Sequence, residues 1–239
     1  MKFELAVNFP IYNEGNSISE ILDEWINIIE KMGINYCLIL SEDGSKDNTK
    51  EILKSKIKSN DRLINNITDE RRGYGGAVLS GVELADSKYV LCVDSDGQCD
   101  PQDFLEFWKK KTFLDENNNS IVFGYRNPRA DTFLRKIYSF SFRVLHFLLF
   151  PNLIKDPSCP YVLTKKKTFL ELADLLTYTK EGFWWGFIAA CSKRKNKILQ
   201  LPVNHRVRFS GDTQVYNLKK IPGIAIRNAI GLFKIRLTK

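Results

Sequence analysis

Cysteine and histidine are scarce in this sequence, which has five cysteines and two histidines among 239 residues. The cysteine count is odd and no two cysteines have C-x-x-C spacing, so neither a disulfide framework nor a cysteine zinc site is expected. Isolated thiols are typical of a reducing compartment, and we expect a cytoplasmic chain in which Cys92 and Cys191 are small core residues.

Long apolar runs are also missing. A helix needs about 20 consecutive apolar residues to cross a bilayer, and the nearest candidate here, residues 140–150, is interrupted by Arg143 and His146. The first residues lack the basic-then-apolar pattern of a signal peptide, and residues 3–10 predict a β-strand instead. The sequence therefore predicts neither a membrane span nor a signal peptide.

Acidic residues are almost absent from Lys193 onward. This part has twelve Lys and Arg against one acid, Asp212, so it carries +11 while the whole chain carries +8 and residues 1–192 carry −3. From about Lys219 the cations alternate with Ile, Leu and Phe, which is typical of a helix lying on an anionic membrane surface. Packing on the domain core, or a solvated basic face, is the alternative. No nucleic-acid-binding motif is present, so nucleic acid is not an expected partner.

Apolar runs typical of β-strands alternate with helical stretches through the first half of the chain. The predicted strands cover residues 3–9, 36–41, 62–66, 89–93 and 120–124. The predicted helices run from a Ser17 capping box to about Met32, from Asp47 to about Ile57, over 77–85, and from an Asp100 N-cap and Pro101 to about Leu114. This alternation indicates an α/β fold with a Rossmann-like, mostly parallel sheet flanked by helices. We expect one domain over 1–218 and a basic amphipathic extension over 219–239.

Polar and acidic residues follow three of the predicted strands directly. They lie at positions 10–14, 42–45 and 94–96. In parallel α/β sheets, ligands bind beyond the carboxyl ends of the strands. The three segments are therefore predicted to converge on one binding site.

The third of these segments forms a D-x-D pattern, Asp94 and Asp96, which Gln98 continues at the same spacing. Residues i and i+2 of an extended chain point the same way, so the two carboxylates repel each other unless a cation lies between them. Oxygen ligands suit Mg²⁺ or Mn²⁺. An EF-hand loop is excluded, because Cys99 and Leu105 stand where Gly and Glu are needed. Capping of a turn, or an acid–base pair, remains an alternative for the aspartates.

Two further features suit a nucleotide. Asp43, in a turn after a strand, can accept hydrogen bonds from a base or a ribose. The loop 71–76 (RRGYGG) offers two guanidinium groups and bare amides before a helix, which suits a diphosphate; Arg72 and Gly76 are our candidates. It is not a dinucleotide fingerprint, because Val78 replaces the third glycine.

Four segments in order resemble the family 2 glycosyltransferases, and most closely the branch that transfers sugars to polyprenyl or dolichyl phosphate. They are FPIYNEGNSI (9–18), EDGSKDNT (42–49), the stretch from RRGYGG to SDGQCDP (71–101), and GYR (124–126). The resemblance covers roughly residues 3–212. It implies a GT-A fold, a nucleotide-diphosphate sugar donor (a UDP- or GDP-sugar), Mg²⁺ or Mn²⁺, and inversion at the anomeric carbon.

The resemblance also assigns roles by position. For the nucleotide it implies Pro10, Tyr12, Glu14 and Asp43, and for the metal Asp94, Asp96 and Gln98. Segments 156–166 and 208–213 resemble stretches that face the acceptor and contact phosphates. Our candidates to place an acceptor phosphate are Arg126, Arg135 and Arg208. We expect Asp94 and Asp96 to act in catalysis through the metal, with Asp156 as a catalytic carboxylate.

The sequence departs from the family pattern at several positions. Glu42 replaces the first aspartate of a usual pair, and Arg71-Arg72 stand where lysine-glycine is usual. Gly186 stands where relatives often carry an acid, so Glu181 is the nearest remaining carboxylate there. The resemblance therefore assigns no general base to position 186.

The function expected from these residues is metal-dependent transfer of a sugar to a lipid-phosphate acceptor by a protein bound peripherally to the inner face of the membrane. A phosphate acceptor is already an anion and needs no base. Transfer to a hydroxyl of a surface-polysaccharide or lipid-linked glycan precursor is the alternative, with Asp156 or Glu181 as base. A non-catalytic protein that binds nucleotide sugar or lipid is the third possibility.

Overall fold

The computed structural model describes residues 1–127, 142–179, 181–209 and 221–238. Arg135, one of the predicted acceptor residues, and the predicted domain boundary at 218/219 lie outside these ranges. None of the helices described in these ranges has the length and apolar character needed to cross a membrane.

A seven-stranded mixed sheet forms the centre of the molecule, in the order β3-β2-β1-β4-β6-β5-β7. Its strands are β1 (Phe3–Ile11), β2 (Tyr36–Glu42), β3 (Leu63–Asn65), β4 (Ser87–Cys92), β5 (Ser120–Arg126), β6 (Val162–Lys165) and β7 (Lys197–Val203). All neighbours pair in parallel except β6, which is antiparallel to β4 and β5. The predicted α/β fold with a mostly parallel sheet is therefore confirmed.

Helices cover the sheet and follow most of its strands. They are α1 (Ile18–Lys31), α2 (Thr49–Ser59), α3 (Tyr74–Leu84), α4 (Phe104–Trp108), α5 (Lys111–Glu116), α6 (142–149), α7 (Lys166–Leu170), α8 (Ala173–Leu176), α9 (Phe183–Lys193) and α10 (Ile221–Leu237). Helices pack on both faces of the sheet, as strand β1 shows, because its successive side chains alternate between the two faces. Asn8 donates a hydrogen bond to the Val78 carbonyl in α3 at 2.8 Å, whereas Phe9 packs edge-on against Trp25 of α1.

The local predictions need three corrections. Ser17 precedes α1, but its hydroxyl contacts Glu14 and caps no helix amide. Helix α3 begins at Tyr74, three residues before the predicted start. The helix predicted after Asp100 is split into a 3₁₀ turn, α4 and α5, although Asp100 does accept a hydrogen bond from the Gln102 amide at 3.0 Å.

The second half of the chain adds β6, β7 and a helical layer that the sequence pattern did not predict in detail. Helix α10 packs on α9, with Leu232 and Ile235 fully buried. Lys193, at the end of α9, donates to the Arg236 carbonyl at 2.8 Å. The basic extension is thus a helix with one face against the domain.

Candidate functional site

The acidic loop after β4 lies at the carboxyl edge of the sheet. The Ser95 hydroxyl donates to the Pro10 carbonyl of β1 at 2.8 Å, and the Gln98 amide donates to Asp96 Oδ1 at 3.1 Å. Gly97 has φ +80°, and a Cβ there would lie 2.2 Å from the Phe209 ring. A side chain at position 97 is therefore excluded by both backbone and packing.

Asp94 is the most perturbed carboxyl of this loop. Burial, and next the charge of Asp96, raise its pKa to about 7, and a hydrogen bond from Tyr74 opposes the shift. Asp94 stands in a region where negative charge is poorly compensated, which is the condition that a divalent cation relieves.

The residues of this loop fit a Mg²⁺ or Mn²⁺ site to which the protein contributes only a few ligands. Among the described residues, no three Asp, Glu, His or Cys side chains converge as a closed metal cage. Mg²⁺ and Mn²⁺ bound with a diphosphate need only one or two carboxylates, because phosphate and water oxygens complete the shell. Asp94 and Asp96 supply that number, and the Gln98 side chain lies beside them, with its amide donating to the Arg206 carbonyl at 3.4 Å.

A small cavity of about 30 Å³ adjoins Asp94, with room for a ligand the size of an ion or a water molecule. The polar side chains that line it are Asp94, Gln98, Arg126, Tyr161, Asn204 and His205. They come from four parts of the chain, so only the folded molecule creates this cavity.

The nucleotide side of the edge is centred on Asp43, which is buried. Its Oδ1 accepts the Arg72 amide at 2.5 Å, whereas its Oδ2 is buried and accepts no hydrogen bond from the described residues. Arg71 Nε lies 3.4 Å from Oδ2, and its guanidinium lies over the Tyr12 ring at 3.5 Å. A buried carboxylate oxygen without a donor is costly. Asp43 therefore offers a place for an N–H group of a ligand beside an aromatic ring.

The two arginines of the glycine-rich loop have different environments. The Arg72 guanidinium donates four hydrogen bonds to protein acceptors, to Asn66, Ser80 and the Glu42 carbonyl. A Cβ at Gly76 would lie 2.8 Å from Arg72 Cβ, so Gly76 makes this inward position possible. Arg72 holds the loop together, and Arg71 is the arginine that faces Tyr12. For a diphosphate contact, we therefore favour Arg71 over the predicted Arg72.

Glu14 and Arg208 form an ion pair over the acidic loop. Arg208 donates to Glu14 Oε1 at 2.7 Å and lies 3.8 Å from Asp96 Oδ2. Burial raises the pKa of Glu14, and Arg208 opposes that shift. Two predicted site residues from opposite ends of the chain are thus brought together.

The segment after β7 crosses the acidic loop and supplies residues that the sequence did not reveal. The Arg206 amide donates to the Gln98 carbonyl at 3.1 Å, and the Phe209 amide to the Asp96 carbonyl at 3.3 Å. This crossing brings His205 to the cavity beside Asp94. Among its residues the sequence indicated only Arg208, through the R-x-x-G pattern, whereas no local pattern distinguished His205.

Arg126 and Asp156 form a buried bidentate pair. Arg126 Nε and Nη2 donate to the two carboxylate oxygens at 2.6 and 2.9 Å, and Nη2 also donates to Ser158 at 2.6 Å. A carboxylate engaged in this way is a poor proton acceptor. Asp156 thus holds the Arg126 guanidinium at the cavity wall, and its predicted catalytic role stays a prediction.

The place where relatives often carry an acid has no room for one. A Cβ at Gly186 would lie 1.7 Å from Thr179 Oγ1. Glu181, the nearest alternative, accepts two hydrogen bonds from Arg227 at 2.8 and 2.9 Å on the surface. Both carboxylates considered as bases for a hydroxyl acceptor are therefore held by arginines.

The fold and the carboxyl edge of the sheet define an α/β enzyme domain of the GT-A type. The acidic loop and the residues around Asp43 that suit a nucleotide lie together at that edge. The chain belongs to glycosyl transferase family 2, whose family model matches residues 7–173. This confirms the resemblance expected from the sequence motifs, and with it the prediction of a glycosyltransferase.

Similar proteins agree with this placement. Dolichyl-phosphate beta-glucosyltransferase of Dictyostelium discoideum is 29% identical, over 97% of this chain and 77% of its own length. Undecaprenyl-phosphate 4-deoxy-4-formamido-L-arabinose transferase of Edwardsiella ictaluri is 23% identical, over 91% of this chain and 64% of its own length. The solved structure of glucosyl-3-phosphoglycerate synthase from Mycobacterium tuberculosis, with Mn²⁺, UDP and phosphoglyceric acid, has a TM-score of 0.71 at 17% identity and covers 99% of this chain and 80% of its own.

Proposed function

We propose that this protein transfers a sugar, with inversion, from a nucleotide-diphosphate sugar to a lipid-linked phosphate acceptor at a membrane surface, with Mg²⁺ or Mn²⁺. The observation that carries the proposal is the edge that joins Asp43, whose buried Oδ2 accepts no hydrogen bond from the described residues, to the D-x-D pair. Relatives named for dolichyl-phosphate and undecaprenyl-phosphate acceptors support the acceptor class.

The donor is bound by its base, its diphosphate and the cation. Asp43 Oδ2 accepts an N–H of the base, and Tyr12 and Arg71 give the base a surface on which to stack. Uracil and guanine both carry a ring N–H that fits this acceptor. The UDP and UDP-glucose complexes of the solved neighbour favour a UDP-sugar.

The diphosphate that leaves when the anomeric C–O bond breaks gathers negative charge, and a divalent cation bound at this edge would supply the compensating positive charge. Asp94 and Asp96 would hold that cation, and Gln98 lies beside them. The ion pair between Arg208 and Glu14 lies over this loop. Arg126, oriented by Asp156, adds positive charge at the cavity wall without the flexibility of an exposed arginine.

A phosphate acceptor suits a site in which the carboxylates considered as bases are occupied. Asp156 accepts hydrogen bonds from Arg126, and Glu181 from Arg227. A phosphate oxygen is already charged at neutral pH and attacks without giving up a proton, whereas a hydroxyl needs a base. A glycan hydroxyl acceptor is therefore the less favoured alternative.

The exposed face of α10 supports action at a membrane. Four large apolar side chains, at spacing i, i+4, i+7 and i+11, form a stripe along this face: Ile226, Ile230, Phe233 and Leu237, exposed by 61%, 50%, 47% and 79%. At 3.6 residues per turn, Arg227 and Lys234 lie along one side of this stripe and Arg236 along the other. An apolar stripe with cations on both flanks fits a surface of anionic lipid on the inner face of a membrane.

Transfer assays test the proposal. The purified protein is given UDP-glucose or GDP-glucose with Mn²⁺ and either a short-chain polyprenyl phosphate or an alkyl glycoside. We expect a polyprenyl-phosphate sugar as product, and its loss in Asp94→Asn/Asp96→Asn but not in the surface control Asp115→Asn. Product only from the alkyl glycoside contradicts the acceptor class. Product formation by the double variant at the wild-type rate contradicts the metal role.

A further inference from the structure

Two aromatic residues from distant parts of the chain, Trp184 and Tyr74, form a series of hydrogen bonds that ends at Asp94. The Trp184 indole Nε1–H donates to the Tyr74 hydroxyl oxygen at 2.7 Å, and the Tyr74 hydroxyl donates to Asp94 Oδ1 at 2.6 Å. Tyr74 is the first residue of α3 and Trp184 lies in the first turn of α9. The series therefore connects two helices to one carboxylate of the D-x-D pair.

The chemistry of the three groups determines the direction of both hydrogen bonds. An indole N–H is a donor only, so the Tyr74 oxygen must be the acceptor from Trp184. The single hydroxyl proton of Tyr74 is then directed to Asp94, whose Oδ1 must accept it. Within the described part of the chain this engages Oδ1 and leaves Oδ2 of Asp94 without a hydrogen bond from protein.

Packing holds both aromatic residues in place. Trp184 is only 6% exposed and contacts the rings of Phe183 and Phe187, with centroids 5.1 and 5.5 Å away. Tyr74 is 37% exposed, and its ring packs edge-on against Phe183, with ring centroids 6.2 Å apart. The series is thus built on the first turns of two helices rather than on a loop, which is what a precisely oriented ligand requires.

The structure assigns Tyr74 and Trp184 as positioning residues that hold Asp94 by Oδ1, so that Oδ2 is presented to the divalent cation. The assignment rests on the proposed metal-dependent function. Trp184 reaches Asp94 through Tyr74, so part of the orientation of the cation site is assigned to a residue of α9. Outer hydrogen-bond partners of metal ligands typically change metal affinity by about 10- to 100-fold when removed.

Mn²⁺ binding tests this assignment independently of turnover. Free Mn²⁺ is measured by electron paramagnetic resonance in titrations of the whole protein with saturating UDP. The variants are Tyr74→Phe, Trp184→Phe and the pair together, and each removes a donor while keeping an aromatic ring. Trp185→Phe is the matched control, because Trp185 is the next residue of α9 and packs instead against Phe142 of α6 at 4.6 Å.

We expect Tyr74→Phe to raise the Mn²⁺ dissociation constant about 10- to 100-fold, and Trp184→Phe about 3- to 10-fold, as for a lost neutral hydrogen bond. The pair should bind no more weakly than Tyr74→Phe within about twofold, because Trp184 acts through Tyr74. Trp185→Phe should bind as wild type does. Melting temperatures separate this effect from a general loss of folding. Variants that have lost only the positioning of Asp94 should melt at the wild-type temperature.

Three results overturn the assignment. If wild type binds Mn²⁺ with UDP and the Tyr74 and Trp184 variants bind equally well, positioning is refuted while the proposed function stands. If Trp185→Phe weakens binding as much as Trp184→Phe, the effect belongs to α9 as a whole. If wild type binds no Mn²⁺ with UDP, the metal-dependent function fails, and the assignment fails with it.

Discussion

The apolar stripe of α10, defined by Ile226, Ile230, Phe233 and Leu237, gives the sharpest prediction about where this protein works. The perturbation is Ile230→Glu together with Phe233→Glu, at the centre of the stripe. Both side chains are about half exposed, at 50% and 47%. They therefore contribute little to the core, and their replacement should leave the fold intact, as surface substitutions usually do.

The expected effect on membrane binding follows from the exposed area. Full burial of a large apolar side chain contributes about 1.5–3 kcal/mol, so two half-exposed side chains contribute about 1.5–3 kcal/mol together. Each introduced carboxylate adds repulsion from anionic headgroups, by symmetry about the 1 kcal/mol that a Lys or Arg gains there. The total loss is about 3.5–5 kcal/mol, which corresponds to a fall of at least about 300-fold in partition, since 1.4 kcal/mol is tenfold.

Co-sedimentation with vesicles of mixed phosphatidylserine and phosphatidylcholine is the assay. Wild type should bind these vesicles. Its affinity should fall as the phosphatidylserine fraction is lowered or as the salt concentration is raised. Leu84→Glu is the matched control, since Leu84 is 47% exposed but lies on α3. Equal binding by the double variant and wild type would refute the membrane role of the stripe.

Deletion of the whole extension is a poorer test of the same idea. Leu232 and Ile235 of α10 are fully buried, and Asn228 is only 8% exposed. A Cβ at Gly231 would lie 2.3 Å from the Tyr178 carbonyl, so this face of the helix fits closely on the domain. Truncation would uncover the apolar surface of α9, and its effect on vesicles would mix unfolding with lost contact.

Three other predictions concern single residues. Asp43→Asn keeps Oδ1 for the Arg72 amide but replaces Oδ2, which accepts no hydrogen bond from the described residues, by a donor. UDP should therefore bind about 10- to 100-fold more weakly by calorimetry, and unchanged affinity would remove Asp43 from the base pocket. Gly186→Asp should destabilise the fold by at least about 1–3 kcal/mol in denaturant unfolding, without restoring a base, because its Cβ overlaps Thr179 Oγ1; a neutral effect would contradict the packing. Burial lowers the pKa of His146 from 6.5 to about 4, so stability is full above pH 6.5 and falls by roughly 3 kcal/mol as pH drops to 4. His146→Phe should flatten that part of the pH–stability curve, and an unchanged slope would show that other groups cause it.

Local pattern was enough to predict the strands that carry the site and the residues that follow them. The apolar run before Asp94 predicts a strand, and the turn residues after it predict a loop at the strand's end. Asp43 and Asp94 were found in this way, and the structure places both at the carboxyl edge of neighbouring parts of one sheet. Periodicity is a short-range property, so it survives without knowledge of the fold.

The order of motifs carried more than any single one of them. A D-x-D pattern by itself is compatible with a turn, and a glycine-rich loop by itself is weak. Their order along the chain, with Asp43 before both of them, indicated family 2, which the family model confirms over residues 7–173. The order of the motifs along the chain reflects the order in which strands and loops are connected in the fold. This order is therefore enough to indicate the enzyme class without knowledge of the contacts.

Long-range contacts decided the rest of the site. Arg71 and Arg72 are adjacent in the sequence, and only the structure shows that the Arg72 guanidinium is surrounded by protein acceptors. His205 reaches the cavity because the segment after β7 crosses the acidic loop more than a hundred residues away. Trp184 acts on Asp94 only through Tyr74. No local pattern encodes such partners.

The sequence by itself determined the α/β alternation, the acidic edge of the sheet, the family and the basic apolar character of the last helix, because each depends on neighbours within a few turns of chain. The tertiary structure alone decided that Arg72 is bound by protein acceptors whereas Arg71 lies over Tyr12, that Asp156 is held by Arg126, and that α10 has one buried and one exposed apolar face. Those outcomes depend on which surfaces meet when distant segments pack, and a side chain's role then follows from the donors and acceptors that packing leaves within reach.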